Sequence, residues 1–536
     1  MEVEGVRWAS TAAMVRESAS RFADRVAVED GDVVWTFADL RAEVDRAARA
    51  LVASGVAAGD RVAIWAPNIH EWIPAALGVH AVGAVLVPLN TRYKGRESAY
   101  ILERSSARLL FTVNGFLDTD YVAMLAAADD ELPHLEELVV LRGEASGADV
   151  VAWEDFLDRG SDDDQTEVDT RVDALGPDGL CDIMFTSGTT GHPKGVLSTH
   201  GQTLRAFEAW SRLVGLRHDD RYLVVNPFFH TFGYKAGILA AVMRGATILP
   251  HAVFDAEQVL RRIADDRVSM LPGPPALYQT ILNHPDRASM DLSSLRLAVT
   301  GAAAIPVSLI ERMRGDLGFE TVLTAYGLTE ATGVVSMCRD GDDAETIATT
   351  SGRAIPDVEV CIVDDSGGEV ARGEPGEIVV RGYNVTQGYL DDPDATAEAI
   401  VDGWLHTGDI GVMDDRGYID ITDRKKDMFI VGGFNAYPAE IEDDLSDHPA
   451  VAQVAVVGMP DERLGEVGCA FVVPAVGATV DPDEVIAWAT DRMANFKVPR
   501  RVEVVHALPT NPSGKVLKYA LREQLTAPAD AGGHDA

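Results

Sequence analysis

The chain has 536 residues and a formal net charge of −39. This length excludes a single hydrophobic core, and this charge argues against a nucleic acid or an anionic membrane as partner, since both attract basic surfaces. The hydrophobic content of 47% and the mean hydropathy of +0.01 are typical of a soluble globular protein. We therefore expect two or more globular domains that do not bind nucleic acid.

The cysteines are dispersed and show no metal-ligand or redox spacing, which indicates reduced thiols. The acidic start, Met1–Glu4, does not have the form of a signal peptide. The most apolar stretch, 75–89, is about 15 residues long and is too short to span a bilayer. These features predict a cytoplasmic protein without stable membrane insertion. The cysteines are Cys181, Cys338, Cys361 and Cys469.

The first clear element is a helix that a capping box opens at Thr36–Asp39. Its apolar face repeats at helical spacing and consists of Leu40, Val44, Ala47, Ala48 and Leu51. Strands then alternate with helices, which is typical of a mostly parallel sheet covered on both faces. An acidic segment, 135–172, is interpreted as a surface connection. Strands are predicted at 62–65, 84–87, 109–113, 222–225, 246–249, 268–271 and 297–299.

After about Ser351 the pattern changes to short strands separated by turn residues, which predicts a small β-rich subdomain. A charged run, Asp423–Asp427, is interpreted as a linker, and the α+β pattern beyond it covers about 110 residues, enough for a separate domain. The predicted fold class is α/β. A large N-terminal domain, 1–425, combines two mostly parallel αβ-layered subdomains with the β-rich one. A small mobile α+β C-terminal domain, 426–536, follows.

A stretch rich in glycine and hydroxyl side chains, Thr186–Gly195, follows an apolar strand pattern and contains Lys194. Small residues leave backbone N–H groups open, hydroxyls add donors, and the ammonium adds positive charge, so the stretch can hold a polyphosphate. It is not a Walker loop, because glycine follows the lysine where that motif needs Ser or Thr, and the next residues predict a strand. A solvated turn between two strands is the structural alternative.

Three further stretches are candidates for ligand binding, and two of them have an ordinary structural alternative. Asn226–Lys235 is rich in aromatic residues and is interpreted as an apolar pocket wall with His230 at its mouth, or as core packing at a strand end. Thr300–Ala304 consists of small residues against which a flat ring can lie. Thr324–Glu330 ends a predicted strand, where ligand-binding residues of α/β sheets collect, or is a capped helix start.

Two more groups lie towards the C-terminus. Asp409 and Arg424 bracket a predicted hairpin and can face one polar ligand, or they form an ordinary surface ion pair, which stabilises little. Pro512–Val516 places Lys515 on a glycine turn, from which it can reach a neighbouring cleft, or where it is simply solvated.

Taken in order, these motifs resemble those of the adenylate-forming superfamily, and within it of the AMP-forming acyl-CoA synthetases. The resemblance runs from about Phe22 to Leu521, which is nearly the whole chain. The motifs that carry it are Thr186–Gly195, Tyr326–Glu330, Thr407–Asp409, Asp423–Arg424 and Asn511–Lys515.

The resemblance implies two half-reactions that use ATP, Mg²⁺ and coenzyme A. A carboxylate first attacks the α-phosphorus of ATP to give acyl-AMP and pyrophosphate, and the CoA thiol then displaces AMP. It implies rotation of the C-terminal domain about a hinge at Lys426 between the two steps, and a pantetheine tunnel lined by Gly432 and Gly433. It also implies Glu330 as the Mg²⁺ ligand.

The implied catalytic residues are Lys515, Glu330, Thr186 and His230. The implied ATP- or AMP-binding residues are Thr186, Ser187, Gly188, Thr189, Thr190, Gly191, Lys194, Gly301, Ala302, Ala303, Thr324, Tyr326, Gly327, Thr329, Asp409, Arg424 and Lys515. The implied acyl-pocket residues are Phe229, His230, Phe232, Gly233 and Lys235.

The identity of the carboxylic acid substrate is the part of the function that the sequence indicates least. The hypothesis about this acid depends on Lys235, which lies next to a predicted apolar wall. This lysine either hydrogen-bonds an oxygen of a polar, compact acid, or reaches solvent or pairs with an acidic side chain, since buried lysine is rare. Three stretches, 228–235, 271–275 and 324–331, are similar to actinobacterial ligases of steroid catabolism, which activate the bicyclic propionate left after rings A and B are degraded. The expected partners are a small carboxylic acid and CoA, with homodimerisation left open.

Other functions stay open at this point. A ligase for medium-chain, long-chain or aryl acids would carry the same nucleotide motifs, as would an adenylation enzyme that loads a carrier protein and an enzyme that oxygenates the adenylate. A non-catalytic nucleotide-binding protein is disfavoured, because it would be expected to lose Glu330 or Lys515, and both are present.

Overall fold

The computed structural model describes residues 8–128, 130–147, 150–186, 193–301, 305–424, 428–475, 477–509 and 516–526. Contacts divide the chain into a larger compact unit, which holds most of the residues up to Asp423, and a smaller one, which holds most of those after it.

Strands of the larger unit build four sheets. They are β1 (Val26–Asp30), β2 (Val33–Thr36), β3 (Arg61–Trp65), β4 (Val85–Pro88), β5 (Ala107–Phe116), β6 (Thr119–Asp120), β7 (Glu137–Arg142), β8 (Val150–Ala152), β9 (Leu180–Thr186), β10 (Lys194–Thr199), β11 (Arg221–Val224), β12 (Thr247–Pro250), β13 (Leu297–Gly301), β14 (Thr321–Tyr326), β15 (Ser336–Met337), β16 (Arg353–Ala354), β17 (Val358–Val363), β18 (Gly376–Gly382), β19 (Ile400–Val401), β20 (Trp404–Met413) and β21 (Ile419–Arg424).

Helices of this unit follow most of the strands. The α-helices are α1 (Thr11–Arg21), α2 (Phe37–Ala53), α3 (Trp72–Ala81), α4 (Gly95–Ser105), α5 (Tyr121–Ala126), α6 (Trp153–Leu157), α7 (Asp164–Ala174), α8 (His200–Leu213), α9 (Ala240–Arg244), α10 (Ala256–Asp265), α11 (Pro275–Asn283), α12 (Val307–Gly315), α13 (Ala344–Thr349) and α14 (Pro393–Ala399). A π-helix covers Phe232–Leu239, and 3₁₀ turns cover Pro285–Ser289 and Thr329–Ala331.

The first sheet has the strand order β10-β9-β4-β3-β5-β7-β8, with β6 at the side of β5. Its pairs β3–β4, β3–β5, β4–β9, β5–β7 and β7–β8 are parallel, as the strand–helix alternation predicts. Two four-stranded sheets, β11-β12-β1-β2 and β13-β14-β15-β16, are linked through bridges at Met270 to Tyr222 and Leu297. The predicted α/β class, with two mostly parallel layered parts, is confirmed.

The fourth sheet, β17-β18-β20-β19 with β21 beside β20, is antiparallel where its pairs are described. It is the β-rich subdomain that the change of pattern after Ser351 predicts.

Helix α2 shows how local sequence sets an element. Thr36 Oγ1 accepts from the Asp39 backbone N–H at 3.1 Å, and Asp39 Oδ2 accepts from the Thr36 N–H at 2.9 Å, so the predicted capping box is present. The predicted apolar residues from Leu40 to Leu51 are buried. Helix α3 is buried at every position, which suits its almost wholly apolar sequence.

The prediction that 135–172 is a surface connection is wrong. The segment contributes β7 and β8 to the first sheet and forms α6 and most of α7. Phe156 and Val168 within it are fully buried. Most of the acidic residues that are described in this segment are exposed, and they outnumber its buried apolar residues, which masked the amphipathic pattern.

The smaller unit is an α+β structure. Its sheet has the order β23-β22-β25-β24, with β26 parallel to β25. Phe429 and Ile441 lie in its fully enclosed core. The elements are β22 (Phe429–Val431), β23 (Phe434–Ala436), β24 (Val451–Asp461), β25 (Gly465–Pro474), β26 (Arg501–Val504), α15 (Pro438–Ser446), α16 (Pro482–Arg492) and α17 (Lys518–Thr526). Across both units, the helices that are described include none with the length and apolarity that a bilayer crossing requires.

Candidate active site

Two neighbouring strands flank the glycine-rich stretch. β9 ends at Thr186, and β10 begins at Lys194, so the stretch is followed by a strand, as predicted, and not by the helix of a Walker motif. Ser187, Gly188, Thr189, Thr190 and Gly191 lie outside the described residues. The binding of phosphate by this stretch therefore stays a prediction.

Hydroxyl groups converge on the carboxylate of Glu330. Thr186 Oγ1 donates to Glu330 Oε1 at 3.4 Å, and Tyr389 Oη donates to the same oxygen at 3.0 Å. The Glu330 backbone carbonyl also accepts from the Thr386 N–H at 2.8 Å. Glu330 is half-buried and lies within the short 3₁₀ turn Thr329–Ala331, and its carboxylate meets the end of β9 at Thr186.

Tyr389 was not singled out from the sequence. It lies 59 positions from Glu330, and no spacing rule connects the two. The only available signal was a tyrosine after Gly388 in a turn-rich segment of the predicted β-rich subdomain.

Tyr326 and Asp409 meet at the end of β14. The Tyr326 hydroxyl donates to Asp409 Oδ2 at 2.6 Å, and the Asp409 N–H donates to Thr407 Oγ1 at 3.1 Å. β14 belongs to the sheet β13-β14-β15-β16, and β20 belongs to the fourth sheet. Two predicted motifs that are 83 positions apart in the chain therefore come together. Of the predicted partner Arg424, only the backbone at the end of β21 is described.

Backbone packing explains the glycines beside this site. β13 and β14 run parallel with Gly301 opposite Ala325, and a Cβ at Gly301 would lie 2.5 Å from the Ala325 carbonyl oxygen. A Cβ at Gly327 would lie 2.2 Å from the carbonyl oxygen of Gly333. Real Cβ atoms do not approach oxygen so closely, so both positions need glycine. Thr324 is different, because its buried hydroxyl donates to the Ile347 carbonyl at 2.7 Å within the core. Ala302 and Ala303 lie outside the described residues.

A single buried asparagine holds the start of the aromatic segment. Asn68 Nδ2 donates to the carbonyls of Val224 and Asn226, each at 2.9 Å, and Asn68 Oδ1 accepts from the Phe228 N–H at 2.7 Å. A Cβ at Gly233 would lie 2.0 Å from the Pro227 carbonyl oxygen, so the turn is closed tightly. The π-helix that follows, from Phe232, is a rare form that is frequent at functional sites.

His230 stands at the accessible end of this segment. Its Nδ1 accepts from the Phe232 N–H at 3.2 Å, which leaves the ring proton on Nε2 in the neutral form. Part of the ring is open to solvent, yet desolvation by the surrounding protein lowers the pKa of His230. Phe229 and Phe232 are half-buried next to it. A neutral imidazole on an exposed residue that is next to half-buried aromatic residues in the chain fits the predicted mouth of an apolar pocket.

Lys235 is wholly buried. Its side chain is 1% exposed, and its Nζ lies 3.0 Å from Asp182 Oδ1 and donates to Ser198 Oγ at 3.1 Å. Of the two alternatives that the sequence left open, the structure shows the pairing with an acidic side chain, whereas contact with a substrate stays a prediction. Asp182 was missed because a single acidic residue within an apolar strand does not by itself indicate a functional site.

In the smaller unit, Gly432 and Gly433 join β22 to β23. Both have positive φ, +57° and +90°, and Val431 pairs with Phe434, so they form a two-residue hairpin turn. The Gly432 N–H donates to the Leu464 carbonyl at 2.8 Å. The hinge residue Lys426 and the catalytic-motif residue Lys515 lie outside the described residues.

Comparison with known proteins identifies the chain's relatives. The model of the AMP-binding enzyme family matches residues 15–390, and that of the AMP-binding enzyme C-terminal domain matches residues 440–515. A protein of Rhodococcus jostii, described as a 7a-methyl-1,5-dioxo-octahydro-1H-inden-4-yl propanoyl:CoA ligase, is 51% identical over 96% of this chain and 98% of its own. A protein of Mycobacterium tuberculosis with the same description is 51% identical over 93% of this chain and 96% of its own.

A solved structure agrees with this. The amide bond synthetase McbA from Marinactinospora thermotolerans is 31% identical, with a TM-score of 0.82 over 96% of this chain and 99% of that chain. Two of the five motifs, Thr186–Gly195 and Tyr326–Glu330, lie within the region that the first family model matches, and Asn511–Lys515 lies within the region that the second matches. The chain therefore belongs to the AMP-binding enzyme family and is an AMP-forming acyl-CoA ligase.

Proposed function

We propose that this ligase activates a ring-degraded steroid acid, the 7a-methyl-dioxo-octahydroindenyl propanoate that the two related ligases are named for, here called the indenyl propanoate. The observation that carries the proposal is the 51% identity to both proteins over almost their whole length. The net charge of −39 does not attract an anionic acid over long range. We therefore expect individual groups in the site to bind the acid.

The first half-reaction is adenylation. We assign the β- and γ-phosphates of ATP to the stretch from Thr186 to Lys194, whose amides, hydroxyls and ammonium offset the charge of the departing pyrophosphate. The ribose is assigned to Asp409 and the adenine ring to Tyr326, which the 2.6 Å hydrogen bond joins into one unit. Holding these groups before the reaction lowers its barrier, because the site need not reorganise as charge develops.

Mg²⁺ is assigned to Glu330. Its carboxylate and the hydroxyls of Thr186 and Tyr389 form a set of oxygen donors within 3.4 Å of Glu330 Oε1, and Mg²⁺ prefers oxygen ligands. A bound divalent cation supplies charge stabilisation at the phosphates. Glu330 would ligate the Mg²⁺, and the hydroxyls of Thr186 and Tyr389 fix the orientation of its carboxylate.

The acyl side is assigned to the segment from Phe229 to Gly233. The half-buried aromatic rings provide an apolar wall, which suits the fused carbon rings of the indenyl propanoate. His230 presents a neutral Nε2–H at the mouth, because its Nδ1 is occupied by the Phe232 N–H. We assign it to gating the acid and orienting its carboxylate. ATP and CoA are cytoplasmic metabolites, which supports a cytoplasmic location.

The second half-reaction is thioester formation by CoA. We assign Gly432 and Gly433 to the pantetheine, since a glycine hairpin leaves its backbone open to a thin chain. Lys515 is assigned to the first half-reaction, where an ammonium stabilises the α-phosphoryl oxygens, and Lys426 keeps its predicted hinge role.

Pyrophosphate release, measured over a panel of carboxylic acids with and without CoA, tests the proposal. The panel contains the indenyl propanoate, a long-chain fatty acid, an aryl acid and the indenyl propanoate with both ketones reduced. We expect the highest kcat/KM for the diketone and turnover that requires CoA. A preference for the fatty or aryl acid would contradict the proposed substrate, and CoA-independent transfer to a carrier protein would contradict thioester formation with free CoA.

The role of Lys515 is tested separately by Lys515→Ala. We expect loss of acyl-AMP formation, while thioester formation from supplied acyl-AMP is largely kept, because the lysine acts only on the phosphoryl group. Lys518→Ala, in the helix just beyond it, is the matched control for loss of a nearby charge. An equal loss of both half-reactions in Lys515→Ala would contradict the assignment.

A further inference from the structure

A buried ammonium links the strands that flank the glycine-rich stretch to the segment that carries the predicted acyl-side residues. Lys235 and Asp182 are 1% and 0% exposed, and they form an ion pair of 3.0 Å. Lysine is seldom fully buried, and a buried ion pair is an expensive way to gain stability, because both charges lose their hydration. A feature so costly calls for a role beyond packing.

The pair connects three elements. Asp182 lies in β9, which leads into the glycine-rich stretch, and Ser198 lies in β10, which leads out of it. Lys235 lies in the π-helix that follows His230. One ammonium therefore ties both strands that flank the stretch to the segment that carries the acyl-side residues.

Strand β9 extends this connection towards Glu330. Alternate residues of a strand face the same side, so Asp182, Met184 and Thr186 form one row. Met184 Sδ accepts from the Thr231 hydroxyl at 3.1 Å, and the Thr186 hydroxyl donates to Glu330 at 3.4 Å. Asp182 and Met184 thus contact the acyl-side segment, while Thr186 of the same row contacts the carboxylate of Glu330.

The charge of the pair is balanced internally. Within the described part of the chain, neither carboxylate oxygen of Asp182 accepts a hydrogen bond of good alignment, so the nearby ammonium is its main compensation. Burial, together with the charge of Lys235, lowers the pKa of the neighbouring His80, which keeps that ring neutral. Removing Lys235 alone would leave a buried carboxylate without its counter-charge.

We propose that Lys235 is a positioning residue that holds the acyl-side segment against the strands flanking the phosphate stretch, through Asp182 and Ser198, and that it does not contact the acid. The inference rests on the proposed function in assigning the two sides of the site. It predicts that loss of the pair impairs the chemical step equally for every acid the enzyme accepts.

Four proteins test this: the unchanged enzyme, Lys235→Met, Asp182→Asn and the double variant. We expect Lys235→Met to lower kcat for pyrophosphate release on the order of 10- to 100-fold, by the same factor for the diketone and its reduced analogue, with little change in KM for either acid. Its Tm should fall by about 3–6 °C, since a buried charge is left unpaired. The double variant should regain most of the Tm and part of the kcat, because no unpaired charge remains.

Two outcomes would overturn the proposal. One is a rise in KM in Lys235→Met that is confined to the diketone, with Asp182→Asn behaving normally, since that would show direct contact with a ketone. The other is a double variant whose losses are the product of the single losses. If Lys235→Met does not fold, Asp182→Asn and the double variant still give the comparison. The test uses whichever acids turn over, so it is separate from a failure of the proposed substrate.

Discussion

Gly333 offers a sharp test of how the Glu330 turn and the acyl-side segment fit together. It has φ +97°, and a Cβ there would lie 2.0 Å from Thr231 Cγ2. Alanine at this position meets two separate costs. The positive φ costs roughly 1–2 kcal/mol for a residue with a Cβ, and the overlap with a buried methyl group costs about 1–3 kcal/mol more. We therefore expect Gly333→Ala to destabilise the protein by about 2–5 kcal/mol.

The overlap can be removed without touching the backbone. Thr231→Ser deletes Cγ2 and keeps the hydroxyl, which donates to Met184 Sδ at 3.1 Å. In the double variant only the backbone cost of roughly 1–2 kcal/mol should remain, so the two changes should couple by about 1–3 kcal/mol.

Chemical unfolding followed by tryptophan fluorescence measures the free energy of unfolding of the four proteins, and pyrophosphate release reports the site. We expect Gly333→Ala to lower kcat on the order of 100-fold, since Glu330 lies three residues away and small displacements are costly at an active site. Free-energy changes that add within about 0.5 kcal/mol would refute the predicted contact.

Three further predictions concern single side chains. Tyr389→Phe should lower kcat/KM about tenfold and raise the Mg²⁺ concentration for half-maximal activity, because Glu330 loses the 3.0 Å hydrogen bond that orients it; an unchanged Mg²⁺ dependence would contradict this. Tyr326→Phe should raise KM for ATP by roughly 10-fold or more without changing KM for CoA, since Asp409 loses a charge-assisted bond of 2.6 Å. Burial lowers the pKa of His200 from 6.5 to about 4, so stability should fall as pH drops through this window, by up to about 3 kcal/mol. His200→Gln should flatten the pH–stability profile between pH 6.5 and about 4. A profile that is unchanged in this range would contradict the prediction.

The sign of the His200 effect follows from its neutral folded form. Above pH 6.5 the ring is neutral in both the folded and the unfolded chain, so it contributes no pH dependence. Between pH 6.5 and about 4 the unfolded chain takes up a proton that the folded chain excludes, which favours unfolding.

Much of the fold was open to prediction from local patterns. The capping box at Thr36, the strand after Lys194 and the β-rich subdomain after Ser351 each depend on neighbouring residues, and the structure has all three. The segment 135–172 was misread because its inward-facing residues are recognisable only once the sheet that covers them is known. The residues of the glycine-rich stretch beyond Thr186, and Lys515, keep their roles as predictions.

The sequence by itself determined the class of protein, because five ordered motifs identify the family without any knowledge of distances. It also determined the local elements, since caps, turns and periodic apolar faces act over a few residues. Only the tertiary structure decided which distant side chains meet: Tyr389 with Glu330, and Lys235 with Asp182. The physical reason is that a hydrogen bond or an ion pair depends on separations of about 3 Å in space, which packing sets and chain spacing does not. From the sequence, the lysine beside the apolar wall could have faced substrate, solvent or a buried acidic side chain. The tertiary structure shows that it pairs with the buried carboxylate of Asp182.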